Sequence, residues 1–108
     1  MTAHEILVAA KQELLTRGWT QGAFENPETG EVCALGALNR AVGGQPLMML
    51  LTVESERVHT RAWQLLEAAT GCAEVHRWND DPARTPEDVL QAFDRAIALA
   101  ETRDAVTA

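Results

Sequence analysis

Apolar residues return every three or four positions along three separate stretches of this chain, and a chain patterned that way must lay helix against helix. Ile6, Leu7, Ala10, Leu14 and Leu15 form the first stripe. Val53, Val58, Ala62, Trp63, Leu65, Leu66 and Ala69 form the second, and Val89, Leu90, Phe93, Ala96, Ile97 and Ala100 the third. Each stripe is bounded by residues that start or stop helices. Thr2 with Glu5 three positions on reads as a capping box, and Gly18 offers a left-handed stop, so a helix is expected over about 3–17. Gly71 closes the second stripe. Thr85-Pro86-Glu87-Asp88 opens the third with a capping hydroxyl, a proline at the first helical position and acids beside the positive helix end. The tail from Thr102 to Ala108 is expected to fray.

Between the first two stripes the pattern is shorter. Ala34, Leu35, Ala37, Leu38 and Ala41 predict a buried helix starting at Cys33 or Ala34 and stopped by Gly43-Gly44. Pro46 then precedes the apolar run Leu47 to Leu51, which reads as a further short helix, separate from the long one or fused to it. Asn26-Pro27-Glu28-Thr29-Gly30 reads as a turn, so residues 19–32 make either a small β-hairpin or an ordered loop. Cys72 to Arg84 is polar and reads as a connecting segment. The expected architecture is mainly α: a single domain over 1–108, a small bundle of four to five helices with the hairpin or loop inserted between the first two.

Charge narrows the partners. Sixteen acidic residues against nine basic ones give −7, the wrong sign for a phosphate backbone or an anionic membrane, so no direct nucleic-acid or membrane binding is expected. The longest apolar run is five residues, far below the roughly 20 of a spanning helix, and the first residues carry no signal-peptide pattern, so a cytoplasmic location is expected. Cys33 and Cys72 are then expected as free thiols.

Three segments do not follow from the helical pattern alone. They are Gly18-Trp19-Thr20-Gln21-Gly22, Cys33-Ala34-Leu35-Gly36-Ala37-Leu38, and Trp78-Asn79-Asp80-Asp81-Pro82-Ala83-Arg84-Thr85 running into the last helix with Asp94-Arg95-Ala96. Together they resemble a family of small proteins of unknown function from actinobacteria and their phages, whose pattern reads Trp-x-x-Gly, Cys-Ala-x-Gly-Ala, then Trp-Asn-Asp with Arg-Thr. The resemblance covers most of the chain. It implies a compact domain and imports no activity.

The residues of these segments define the candidate sites. Cys33 at the start of a helix faces backbone N–H groups that favour a thiolate; with His76 as base, Asp80 or Asn79 as orienter and Gln21 as oxyanion donor, it outlines a cysteine-dependent hydrolase or transferase. The competing reading of Cys33 is a small buried apolar residue. A zinc reading would take Cys72 and His76 with Cys33 and Asp80, but the spacing matches no paired-cysteine pattern, and neither metal nor cofactor is expected. His59 reads as part of a solvated face, His4 suggests nothing, and Trp63 reads as core. Trp19 and Trp78, in irregular segments, either anchor their loops or present an aromatic wall. Asn79, Asp80, Asp81 and Thr85 suit a turn and cap before the last helix, with Arg84 pairing to Asp80 or Asp81. Gly36 inside a helix points to a close approach by another segment.

The leading expectation is a non-enzymatic interaction or regulatory module, phage-related by resemblance. It would bind another protein through Trp19, Gln21, Phe24, Trp78, Asn79, Asp80 and Arg84. The hydrolase or transferase is the alternative, small-ligand binding a third class, and a homodimer through Leu47, Met48 and Met49 a further expectation.

Overall fold

A computed structural model describes residues 2–43 and 53–107. Five helices make up this described chain: α1 (Ala3–Arg17), α2 (Ala34–Gly43), α3 (Val53–Thr70), α4 (Val75–Asp80) and α5 (Pro86–Thr107). The expected run from Pro46 to Leu51, including Leu47, Met48 and Met49, lies outside the described residues.

Local chemistry sets the helix ends. Thr2 Oγ1 accepts the Glu5 N–H at 3.1 Å while the Glu5 carboxylate accepts the Thr2 N–H at 3.1 Å, a complete capping box. Gly18 takes φ +89° and donates its N–H to Leu14 O at 2.9 Å, closing α1. Thr85 and Asp88 repeat the reciprocal pair at 3.1 Å in both directions at the head of α5. That helix continues through Thr107, beyond the fraying point expected at Thr102.

The stripes meet in one core. α1 lies mainly against α2 and α5, and α3 lies mainly against α5. Phe93, Ile6, Leu7, Leu38, Leu65, Leu66 and Val89 are completely or almost completely buried, and each large apolar side chain removed from water contributes about 1.5–3 kcal/mol. Leu15 departs from its expected place: it is 57% exposed, because α1 turns only one stripe inward and Leu14 already fills it. The outer face of α5 carries Asp94, which pairs with Lys11 at 2.6 Å, and Arg95, whose Nε donates to Ala69 O at 3.1 Å.

Residues 19–32 form an ordered loop with two isolated bridges and no strand. Val32 is the shared partner: it bridges Trp19 in parallel sense and Glu25 in antiparallel sense. The turn between Glu25 and Val32 is held by Glu28 N–H on Asn26 Oδ1 at 2.9 Å and by Gly30 N–H on Asn26 O at 2.8 Å. Arg40 of α2 fastens the same loop through a two-pronged contact with Glu25, both bonds at 2.8 Å. The Arg40 guanidinium holds the Glu25 carboxyl below the usual carboxylate range.

Two sequence expectations are corrected here. The polar stretch before α5 is helical over Val75–Asp80, because Val75 and Asn79, one turn apart, both point into the core. One of those two inward residues is polar, so no apolar period announces the helix. His59 is buried at 3% exposure rather than solvated. It lies in helical phase with Ala62 and Leu66, and its Nε2 meets Asn39 Oδ1 at 3.0 Å.

Candidate functional site

Asn79 sits where the three motif segments converge, and it is completely buried. Its Oδ1 accepts the Trp19 indole N–H at 2.7 Å and the Ala34 backbone N–H at 3.0 Å. Its Nδ2 donates to Thr20 O at 3.2 Å and to Asp80 Oδ1 at 3.0 Å. Both lone pairs and both amide hydrogens are therefore used, which is what lets so polar a group sit in the core. Through these bonds one side chain on α4 joins the Trp19 loop to the first turn of α2.

Neighbouring groups complete the junction. Gln21 Nε2 donates to Asn79 O at 3.0 Å and to Asp81 O at 2.8 Å, and Gly22 N–H donates to Asp80 Oδ1 at 3.0 Å. Cys33 caps α2: its Sγ accepts the Gly36 N–H at 3.3 Å. Gly36 permits the loop to press on this helix, since a Cβ there would stand 2.8 Å from the Phe24 carbonyl carbon and closer still to its oxygen. The Phe24 carbonyl is already engaged, accepting the Cys33 N–H at 3.1 Å. Arg84 lies over the Trp78 ring, 4.0 Å from its centre, while its Nε donates to Trp78 O at 2.9 Å. Asp81 Oδ2 is 4.0 Å from the Arg84 guanidinium, so of the two expected acidic partners only Asp81 is near it.

Beside this junction opens a pocket of about 480 Å³. The loop supplies Gly22, Ala23 and Phe24; Cys33 and Leu35 come from the start of α2, Trp63 from α3, and His76 and Asp80 from α4. Phe24 is 40% exposed. Trp63 packs half-buried on the core and meets His59 edge-on, the ring centres 5.9 Å apart. Among the described residues no lysine or arginine lines the pocket.

The expected residues thus divide by what they do. Trp19, Gln21 and Asn79 spend their donors internally. Trp78 is half-buried beneath Arg84. Phe24, Cys33, His76 and Asp80 reach the pocket, and Trp63, read from sequence only as core, joins them. Its helical phase fits both roles, so nothing in the sequence separates them.

The chemistry of Cys33 follows from its surroundings. Burial pushes its thiol pKa up, and the Gly36 and Leu35 N–H groups offset that only in part. Among the described residues no hydrogen bond joins Cys33 to His76. Gln21 has no amide hydrogen left for an oxyanion. The zinc set of Cys72, His76, Cys33 and Asp80 does not gather: among the described residues no three His, Cys, Asp or Glu side chains come together as metal ligands. No helix among the described residues is long and apolar enough to cross a membrane.

Fold and site together define a small helical domain whose irregular loop and two helix ends are tied to one buried asparagine, with an open pocket beside the tie. The family model described as a family of unknown function (DUF6197) matches residues 1–99, and the chain belongs to that family. No curated protein and no solved structure matches it.

Proposed function

We propose that this domain is a non-enzymatic protein-interaction module that receives a segment of a partner protein in the pocket between the Trp19–Phe24 loop, α3 and α4. The observation that carries the reading is Phe24. A large apolar side chain lines a 480 Å³ pocket and stands 40% exposed, on a loop held at its backbone by Asn79 and Asp80 and at the Glu25 carboxylate by Arg40. A pre-formed pocket with an aromatic rim on a fixed scaffold is the arrangement that binds with little ordering cost. The pocket includes Gly22, Cys33, Leu35 and Asp80 of the motif segments that carry the resemblance to actinobacterial and actinophage proteins, and a regulatory role in that setting is part of this proposal.

A photo-crosslinking residue at Ala23, exposed on the pocket wall, is expected to give a discrete protein adduct in cells, and Phe24→Ala is expected to suppress it. The same probe at Gln91, exposed on α5 outside the pocket, serves as the control. No adduct from Ala23, or an equal one from Gln91, would overturn the reading.

The cysteine-dependent hydrolase or transferase is retained as a second reading because Cys33, His76 and Asp80 wall the same pocket. The raised thiol pKa and the spent amide of Gln21 favour binding over nucleophilic catalysis. Thiol alkylation followed by mass spectrometry decides between them. Labelling of Cys33 that lags half-buried Cys72 at neutral pH retires the enzyme, while rapid labelling of Cys33 below neutral pH brings it forward.

A further inference from the structure

Asp80 has two carboxylate oxygens in unequal circumstances. Oδ1 is occupied by the Gly22 N–H and by Asn79 Nδ2, both at 3.0 Å. Oδ2 carries no hydrogen bond or ion pair among the described residues. The carboxylate is thus held in place by two donors from the scaffold, and Asp80 lines a pocket that no lysine or arginine lines among the described residues. The remaining wall is largely apolar or aromatic, with Phe24, Leu35 and Trp63 on it. A fixed negative charge beside two aromatic rings selects an organic cation: the charge meets the carboxylate, and the rings attract both the cation and its aliphatic stem. The chain's charge of −7 draws basic partners and repels acidic ones over a longer range.

We infer that the pocket recognises a lysine or arginine side chain of the partner protein, with an adjacent apolar side chain, the cation at Asp80 Oδ2 and the apolar residue against Phe24 and Trp63. This rests on the protein-binding reading above and gives the partner its chemistry. A pocket of 480 Å³ falls in the ordinary range for such sites and holds more than one side chain.

The test uses the whole ¹⁵N-labelled chain and three probes: the blocked tripeptide Leu-Arg-Leu, the same peptide with neutral citrulline for arginine, and butylguanidinium. The arginine peptide is expected to shift the amides of Ala23 and Phe24 and the Trp63 indole, and to bind roughly tenfold more tightly than the citrulline peptide. Asp80→Asn keeps an acceptor for Gly22 and Asn79 and is expected to abolish that difference. Ala23→Lys, which leaves the Asn79 junction untouched and tethers an ammonium beside Asp80, is expected to weaken the arginine peptide similarly. Equal affinity for arginine and citrulline peptides, or shifts confined to residues outside the pocket, overturns the inference. Butylguanidinium binding as tightly as the peptide overturns it too, by making the ligand a free organic cation. An Ala23 crosslink whose yield is unchanged in Asp80→Asn refutes the basic-residue inference and leaves the protein-binding reading intact. Absence of any Ala23 crosslink removes the latter, whatever the titration gives.

Discussion

Trp19 donates its indole N–H to Asn79 Oδ1 across 2.7 Å, and the two residues are 60 positions apart in the chain. The same oxygen accepts the Ala34 N–H, so a loop tryptophan and a helix start share one acceptor. Replacing the acceptor amide by a carboxylate therefore has a defined consequence.

Asn79→Asp keeps an oxygen for Trp19 and Ala34 but turns the amide donor into a second oxygen facing Thr20 O and Asp80 Oδ1. A loss of about 2–4 kcal/mol is expected at neutral pH. Burial and the Asp80 charge would raise the new carboxyl's folded-state pKa above its unfolded value. Stability is then greatest, relative to the native chain, below the unfolded pKa and is lost as pH rises through the folded one. Urea unfolding of both proteins at pH 4 and pH 7 should show the difference narrowing at pH 4; a gap independent of pH would contradict the assignment.

Gly36→Ala ordinarily adds about 1 kcal/mol to a helix. Here the new methyl collides with the Phe24 carbonyl, which cannot retreat without breaking its bond to the Cys33 N–H. A net loss of about 2 kcal/mol or more is expected. A thermal midpoint equal to or above that of the native chain would mean the loop does not rest on α2.

Trp19→Phe and Trp78→Phe separate two roles of a half-buried indole. The first removes a donor to a buried oxygen and should cost about 1–2 kcal/mol by chemical denaturation. The second keeps a ring beneath Arg84, whose Nε bond goes to the backbone, and should cost less. Reversal of that order would place the anchor at Trp78 instead.

His59 is buried, and desolvation lowers its pKa from the ordinary 6.5. The unfolded chain then binds the proton more readily than the folded one. Stability from this residue is fully present above pH 6.5 and falls as pH drops toward the lower folded value. His59→Gln should flatten that slope in urea titrations between pH 7 and pH 5; an unchanged slope would assign it to other groups.

Much of the fold follows from interactions within a few residues. Thr2 with Glu5, Thr85 with Asp88, and Gly18 as a stop are local events, and the periods of α1, α3 and α5 identify the faces that must meet. Gly36 likewise announces a close approach, because a residue that weakens a helix needs a packing reason. That the three motif segments meet was legible as a question; that they meet on Asn79 was not. An asparagine followed by two aspartates ahead of a helix cap reads as turn chemistry whether or not its side chain is buried.

The sequence by itself therefore determined α1, α2, α3 and α5, the caps of α1 and α5, and the net charge of −7, since these depend on spacing and composition. Tertiary structure alone decided that α4 is helical, that His59 is inside, and that Trp63 and Asp80 wall one pocket. Each of these depends on which groups arrive from about 20 to 60 residues away, and a polar side chain carries no local mark of the partner that will bury it.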